Sequence, residues 1–191
     1  MSILLTGATG FVGMEVLARL LERGDEEVVA LVRGSRPCSR LRAAMDVAGI
    51  PDDGRRARVA TLNGDVTDPL PSVAGVRTVV HCAASVSFGL ELDEARRINV
   101  EGTRNALAAA ERHGARYVHV STAYVAGRTE GLFEEATLDC GQVFRNTYEQ
   151  TKLEAERLVR ESALDTVVLR PSIVVGEAST GWTTSFNVLY W

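Results

Sequence analysis

The chain has little lysine, little cysteine and no long apolar run. Of its 21 basic side chains, 20 are arginine and one is lysine, Lys152. Its 3 cysteines, Cys38, Cys82 and Cys140, are odd in number, far apart and free of any Cys-x-x-Cys or metal-ligand spacing. That pattern speaks against a disulfide framework and a zinc module; it predicts no metal site and reduced thiols in a cytoplasmic protein. No apolar stretch approaches the roughly 18 residues that a membrane span needs, so no span is expected. The opening Met1-Ser2-Ile3-Leu4-Leu5 meets a glycine turn at once, without the basic flank of a secretory signal. A basic field is missing too: 21 basic against 25 acidic side chains leave a net charge of −4, which argues against a nucleic-acid partner. What is present is ordinary globular composition, 46% hydrophobic and 24% charged, with enough chain to bury the core of one domain.

Short apolar runs alternate with longer amphipathic ones from end to end. Ile3-Leu4-Leu5 reads as a first strand. Phe11 to Arg23 puts Val12, Val16, Leu17, Leu20 and Leu21 on one helical stripe, and Gly24 closes it. Val28 to Val32 is an uninterrupted strand, a pattern that predicts burial on both faces. A weaker helix follows over 39–49, then strands at Arg58–Leu62 and Thr78–Cys82. One long helix is expected over Leu92–His113, a strand at Tyr117–Ser121, a long loop over 125–146, a helix over Tyr148–Ser162 with its Glu and Arg side chains outward, and a last strand at Thr166–Leu169. Strand and helix in alternation predict an α/β fold: a Rossmann-like, doubly wound parallel sheet with helices on both faces. Ligands of such folds lie beyond the carboxyl ends of the strands, so the residues just after each strand carry the chemistry.

After the first strand stands Thr6-Gly7-Ala8-Thr9-Gly10-Phe11-Val12-Gly13. Between an apolar strand and an amphipathic helix, this glycine spacing is a dinucleotide fingerprint. The glycines allow a tight turn and a close approach of backbone to pyrophosphate, and the helix N-terminus offers free N–H groups. NAD-preferring folds place an acid about twenty residues on to hold the ribose 2′-OH. Here Leu31-Val32-Arg33-Gly34-Ser35-Arg36 carries none. Arg33, assisted by Arg36, suits a 2′-phosphate instead, because a guanidinium meets phosphate with a planar fork. NADP(H) is therefore the expected cofactor. Asp65, after the third strand, meets the adenine amine or caps a turn.

Tyr148 and Lys152 lie one helical turn apart and so share a face. A phenol is a poor acid at neutral pH until a cation stabilises its phenolate. A compact ammonium does this and can also bind ribose hydroxyls; arginine's broad head substitutes badly. The fifth strand ends in Ser121-Thr122, whose hydroxyls are expected at the cleft mouth, opposite Tyr148, ready to bind a carbonyl oxygen.

Together these residues resemble the extended branch of the short-chain dehydrogenase/reductase superfamily. The branch is marked by Thr-Gly-x-x-Gly-x-x-Gly (Thr6–Gly13), an Asp after strand three (Asp65), a Ser/Thr after strand five and Tyr-x-x-x-Lys (Tyr148–Lys152). The resemblance implies a catalytic trio of Thr122, Tyr148 and Lys152, with Ser121 as neighbour. It also implies cofactor contacts by Gly7, Thr9, Gly10, Phe11, Val12 and Gly13, by Arg33, Arg36, Asp65 and Val66, by Ala83, Ala84 and Ser85 of Cys82-Ala83-Ala84-Ser85, and by Lys152, Pro171 and Ser172. The family's helix asparagine is similar to Asn99. Within the branch, Leu31-Val32-Arg33, Val120–Val125 and Leu169–Gly176, with Gly181-Trp182-Thr183 and Phe186-Asn187, resemble the thioester-reductase and fatty-acyl-reductase group. That group implies NADPH-dependent reduction of an acyl thioester, on CoA or a carrier protein, to aldehyde or alcohol. Ketone or hydroxysteroid dehydrogenases, sugar epimerases or dehydratases, and a non-catalytic NADP(H)-binding protein are the alternatives. A homodimer or a larger multidomain context is expected. Extended members run past this length with a second lobe; the expectation is an NAD(P)-binding domain over 1–176 and the start of a substrate lobe, largely missing, over 177–191, where Trp182, Phe186, Tyr190 and Trp191 cluster.

Overall fold

In the computed structural model, residues 1–176 are described together with Ala178 and Thr183. The aromatic cluster Trp182, Phe186, Tyr190 and Trp191, along with Gly181 and Asn187, lies outside the described residues.

Strand β1 (Ser2–Thr6) is the centre of the sheet. On one side it pairs with β2 (Glu27–Val32), which pairs with β3 (Val59–Asn63). On the other side it pairs with β4 (Val76–His81), followed by β5 (Arg116–Val120) and β6 (Thr166–Leu169). Every pairing is parallel and the order is β3-β2-β1-β4-β5-β6, the doubly wound arrangement expected. The chain leaves the middle of this sheet in opposite directions from β1 and β4, which opens a crevice above their carboxyl ends.

Successive strand residues feed two separate cores, as the two-residue period of a strand requires. Leu4, Leu31 and Val79 pack with Ala106, Leu107 and Ala110 of α4 (Gly102–His113) and Val159 of α5 (Thr147–Glu161). Their neighbours Leu5, Val32 and Val80 pack on the opposite face with Leu17 and Leu21 of α1 (Phe11–Arg23) and Leu41 and Met45 of α2 (Pro37–Val47). Val28, Ala30, Leu31 and Val32 are all buried, as the uninterrupted apolar run predicts. The last strand differs from the others: β6 lies at the sheet edge, with Leu169 half exposed.

The long helix expected over Leu92–His113 is not continuous. A short α3 (Leu92–Arg96) passes into a wide π turn at Arg97–Glu101 before α4 begins at Gly102. Gly102 sits under Val66, whose Cγ2 lies 3.1 Å from where a Cβ would stand. The π turn brings the buried Asn99 side chain to the loop after β4. The expectation of outward Glu and Arg on α5 holds for Arg157, Arg160 and Glu161, which are exposed, and fails at two glutamates. Glu149 and Glu156 are both buried: Glu149 accepts from the N–H and guanidinium of Arg145 one turn before it, and Glu156 accepts from Ser121, Arg160 and Arg170. The segment 125–146 is irregular as expected, apart from a single turn of 3-10 helix at Ala123–Ala126 where it begins.

Candidate active site

The turn after β1 is shaped by backbone contact. Gly7 has φ 75°, and a Cβ there would stand 2.6 Å from the Ala83 nitrogen. At Gly13 a Cβ would stand 2.0 Å from the Gly7 carbonyl oxygen. Both positions therefore need a residue without a side chain, and the turn keeps its backbone bare. Gly10 caps α1 with no side-chain hydrogen bond, leaving the first N–H groups of the helix uncapped by any side chain. Such a bare turn at a helix N-terminus fits a pyrophosphate, so the residues present suit a dinucleotide.

Beyond β2 the Arg33 guanidinium stands 3.7 Å from the Asp65 carboxylate. The Arg33 carbonyl accepts a hydrogen bond from Arg40, and Arg36 is exposed at the N-terminus of α2. Burial pushes the Asp65 carboxyl up, but the Thr67 amide and hydroxyl, with Arg33 and Arg97 nearby, hold it below the usual carboxylate range. Asp65 therefore caps a turn, one of the two roles read for it. Val66 packs against Gly102, and its carbonyl accepts from the Asn105 amide at 2.9 Å.

The loop after β4 is fastened at three points. Ala83 donates its N–H to the Thr6 hydroxyl at 3.3 Å. The Ser85 N–H donates to the Asn99 side-chain oxygen at 2.8 Å, and the Asn99 amide nitrogen donates to the Ser85 carbonyl at 3.2 Å and the Thr151 hydroxyl at 2.9 Å. The π turn is thus the device that ties this loop to α5.

Thr122 lies at the end of β5, 5% exposed, and its hydroxyl accepts the Tyr124 N–H at 3.2 Å. The Ser121 hydroxyl turns away, donating to Glu156 at 2.7 Å. Of the two adjacent hydroxyls, Ser121 is therefore committed to a buried carboxylate while Thr122 faces Tyr148. Asn146 caps α5 by accepting the Glu149 N–H at 2.9 Å, which sets the helix start at Thr147, one residue before Tyr148. The Tyr148 ring packs against Phe88 at 5.8 Å. Burial raises its phenol above the ordinary value, and the nearby Thr122 hydroxyl draws it part of the way back. The depression expected from Lys152 does not prevail among the chain's own groups. The Lys152 ammonium, 2% exposed, donates to the Val120 carbonyl at 2.8 Å. Burial depresses it to about 8, against the opposing pull of Cys82 and Glu156.

One cavity of about 310 Å³ unites these parts. It is lined by Gly7, Gly10, Phe11, Val12 and Gly13 from the first turn, Ala84 from the second, Thr122, Tyr148 and Lys152, and Pro171 and Ser172 after β6. Pro171 is held there by its carbonyl, which accepts the Ala123 N–H at 2.9 Å. Thr9, Ala83 and Ser85 stand in the turns around the cavity without lining it; Arg33, Arg36, Asp65 and Val66 lie farther along the sheet edge. Sequence reasoning missed Phe88 and Val86 of the wall and the buried His81, His119 and Glu156 behind it. A histidine in each of two neighbouring strands, the last residue of β4 and the next to last of β5, was the available signal. Among the described residues no group of His, Cys, Asp or Glu is placed to hold a metal ion, and no helix is long and apolar enough to cross a membrane.

Comparison with known proteins follows the same outline. The NAD-binding family model described as "Male sterility protein" matches residues 5–191. The chain is 35% identical over 187 residues to the 2-alkyl-3-oxoalkanoate reductase of Stenotrophomonas maltophilia, covering 92% of this chain and 52% of that protein. It is 34% identical over 209 residues to the isonitrile lipopeptide synthase of Streptomyces coeruleorubidus, covering 98% of this chain and 14% of the synthase. Among solved structures, the terminal R domain from the myxalamid PKS-NRPS biosynthetic pathway superposes with a TM-score of 0.90 at 30% identity, covering 99% of this chain and 53% of that one. The chain thus spans about half the length of the curated reductase and of the solved domain, and a small part of the synthase.

Proposed function

The chain belongs to the male sterility family of NAD-binding proteins, and on that premise we propose that it forms the cofactor half of an NADPH-dependent reductase of acyl thioesters. The observation that carries the reading is the single cavity in which the bare glycine turn, the Thr122 and Tyr148 hydroxyls and the lone lysine meet. Similarity to an R domain of a PKS-NRPS pathway and to a lipopeptide synthase supports a substrate delivered on a carrier, within a larger assembly. The absence of an acid after β2, with Arg33 and Arg36 in its place, supports the phosphorylated cofactor.

NADPH, held at the glycine turn by Gly7, Gly10 and Gly13, would supply the hydride for the thioester carbonyl carbon. The pyrophosphate would lie on the uncapped N–H groups of α1, and the 2′-phosphate near Arg33 and Arg36. Thr122 and Tyr148 donate hydrogen bonds to the carbonyl oxygen and so stabilise the negative charge that develops there. Tyr148 then passes its phenolic proton to that oxygen, and the raised pKa of the phenol keeps the proton in place until the charge appears. Lys152 places a positive charge beneath the cavity floor, favouring the transient phenolate over its neutral form. The hemithioacetal that results breaks its C–S bond, releasing the thiol and an aldehyde. Phe88 and Val86, exposed at the mouth, give the acyl chain an apolar wall.

The test is oxidation of NADPH, followed by its absorbance, in the protein supplied with medium-chain acyl-CoA or an acylated carrier protein. Turnover that disappears in Tyr148→Phe while NADPH binding persists is the expected result. Inertness toward thioesters alongside reduction of a 3-oxoalkanoate would replace the thioester by a ketone, the reading that the Stenotrophomonas reductase favours. Cofactor binding with no turnover of either class would leave a dinucleotide-binding protein.

A further inference from the structure

Behind the cavity, the ends of β1, β4 and β5 carry a buried polar layer. Thr6, His81 and His119 stand side by side in register across the three strands, and the two imidazoles stack at 5.7 Å and 20°. The hydrogen-bond chain through His81 is complete. The Thr103 hydroxyl donates to the Asn99 carbonyl at 2.7 Å, so its oxygen accepts the His81 Nε2 proton at 3.3 Å. His81 Nδ1 then accepts from the Thr6 hydroxyl at 2.8 Å, and Thr6 accepts the Ala83 N–H at 3.3 Å. His81 is accounted for as a neutral, structural group.

His119 is different. It is fully buried, and its Nδ1 has no hydrogen-bond partner among the described residues. Its Nε2 stands 3.5 Å from Nζ of Lys152. A buried N–H or lone pair without a partner costs about as much as a lost hydrogen bond, so packing alone would favour an apolar ring at this place. The ammonium, in turn, has three N–H bonds and no acceptor capacity. One goes to the Val120 carbonyl at 2.8 Å, and a second needs an acceptor on the buried side.

We propose that His119 is a positioning residue: as the Nδ1–H tautomer it accepts a hydrogen bond from Lys152 at Nε2 and, with the Val120 carbonyl, fixes the ammonium so that its third N–H is left for the cavity. Two acceptors on the strand side define the orientation of a tripod, which one carbonyl cannot do. The groups around Lys152 are His119 on β5, His81 and Cys82 at the end of β4, and Tyr148 and Glu156 on its own helix, the last paired with Arg160 and Arg170. Burial, Lys152 and His81 all keep His119 neutral, so its Nε2 stays available as an acceptor. The inference rests on the proposed reductase site only in treating Lys152 as part of it.

The chain's single lysine makes the test direct, because isotopically labelled lysine gives one side-chain signal. Its Cε and Nζ shifts are followed from pH about 6 to 11 in the wild type, His119→Phe and His119→Gln, while 15N-labelled histidine reports the tautomer of His119. The wild-type midpoint is expected near 8. Loss of the acceptor in His119→Phe should lower it by about one pH unit or more, and glutamine, whose amide oxygen reaches the Nε2 position, should restore it to within roughly half a unit. An unchanged or raised midpoint in His119→Phe overturns the proposal. So does an Nε2–H tautomer in the wild type, a measurement that stands even if the phenylalanine variant fails to fold. Neither readout involves turnover: a protein that reduces no thioester yet shows the titration shift refutes the reductase reading alone.

Discussion

Replacing Glu156 with glutamine keeps the shape of the side chain and reverses the hydrogen-bonding sense of one end. The carboxylate is wholly buried and accepts four hydrogen bonds: Oε2 from the Ser121 hydroxyl at 2.7 Å and Arg170 Nε at 3.1 Å, Oε1 from Arg170 Nη2 at 2.7 Å and Arg160 Nε at 3.0 Å. An amide must turn an NH2 group toward one of these donors, and Arg170, itself only 13% exposed, keeps its charge without a counter-charge. Removing one partner of a buried ion pair costs about 3–5 kcal/mol; with the remaining amide oxygen still accepting, about 3 kcal/mol is expected. For a domain of this size that corresponds to a fall of roughly 6–12 °C in Tm. Urea unfolding and thermal melts at neutral pH provide the assay, with Glu15→Gln on the exposed Arg19–Glu15 pair of α1 as a control expected within about 0.5 kcal/mol of wild type. The pH dependence adds a second check. Burial pushes the Glu156 carboxyl up, but Arg170, Ser121 and Arg160 outweigh it and hold the carboxyl below the usual range. Its stabilisation is therefore present above the unfolded carboxylate pKa and is lost as pH falls through the folded one, so wild type and variant should converge in acid. A loss below about 1 kcal/mol at neutral pH, or a gap that persists undiminished into acid, would refute the assignment of Glu156 as the charged hub joining β5, β6 and α5.

Gly13→Ala places a methyl 2.0 Å from the Gly7 carbonyl oxygen, so the turn must open; calorimetry should show NADPH affinity falling by at least about 100-fold, the loss of two or more charge-assisted hydrogen bonds. Arg33→Ala should weaken NADPH by about 10- to 100-fold and leave NADH unchanged, the range for one charged hydrogen-bonding partner lost; equal weakening of both cofactors would place the 2′-phosphate elsewhere. Lys152→Met addresses linkage. Because burial lowers the folded pKa from 10.5 to about 8, the folded state releases the lysine proton before the unfolded chain does, and wild-type stability should rise relative to Lys152→Met between those two pH values, by roughly 3 kcal/mol at most. Chemical denaturation of both proteins across that window measures the difference, and a flat difference would mean that the ammonium is better solvated than its burial indicates.

Six strands, the order of elements and the glycine turn were legible because each is written in local pattern. An uninterrupted Val28–Val32 can only be covered on both faces, and three glycines between an apolar strand and an amphipathic helix serve few purposes other than a close backbone approach. Tyr148 and Lys152 were legible for the same reason, since helical spacing alone puts them on one face. The break in the helix at Arg97–Glu101 was hidden, because a π turn here depends on Asn99 finding Ser85 and Thr151 from other elements. The fate of Glu156 was hidden too: at helix spacing it is indistinguishable from the half-buried Glu154 and the exposed Glu161 of α5, and its three donor residues stand at positions 121, 160 and 170.

The amino-acid sequence by itself determined the doubly wound sheet, the cofactor turn and the phenol–ammonium pair, since periodicity and short-range spacing fix which side chains share a face. Only the tertiary structure decided that Thr122 faces the cavity while Ser121 serves Glu156, that Lys152 rests on Val120 and His119, and that the Tyr148 phenol stands above its ordinary pKa. Those outcomes depend on burial and on donors brought together from distant strands, and neither dielectric environment nor long-range partnership is encoded in the spacing of neighbouring residues.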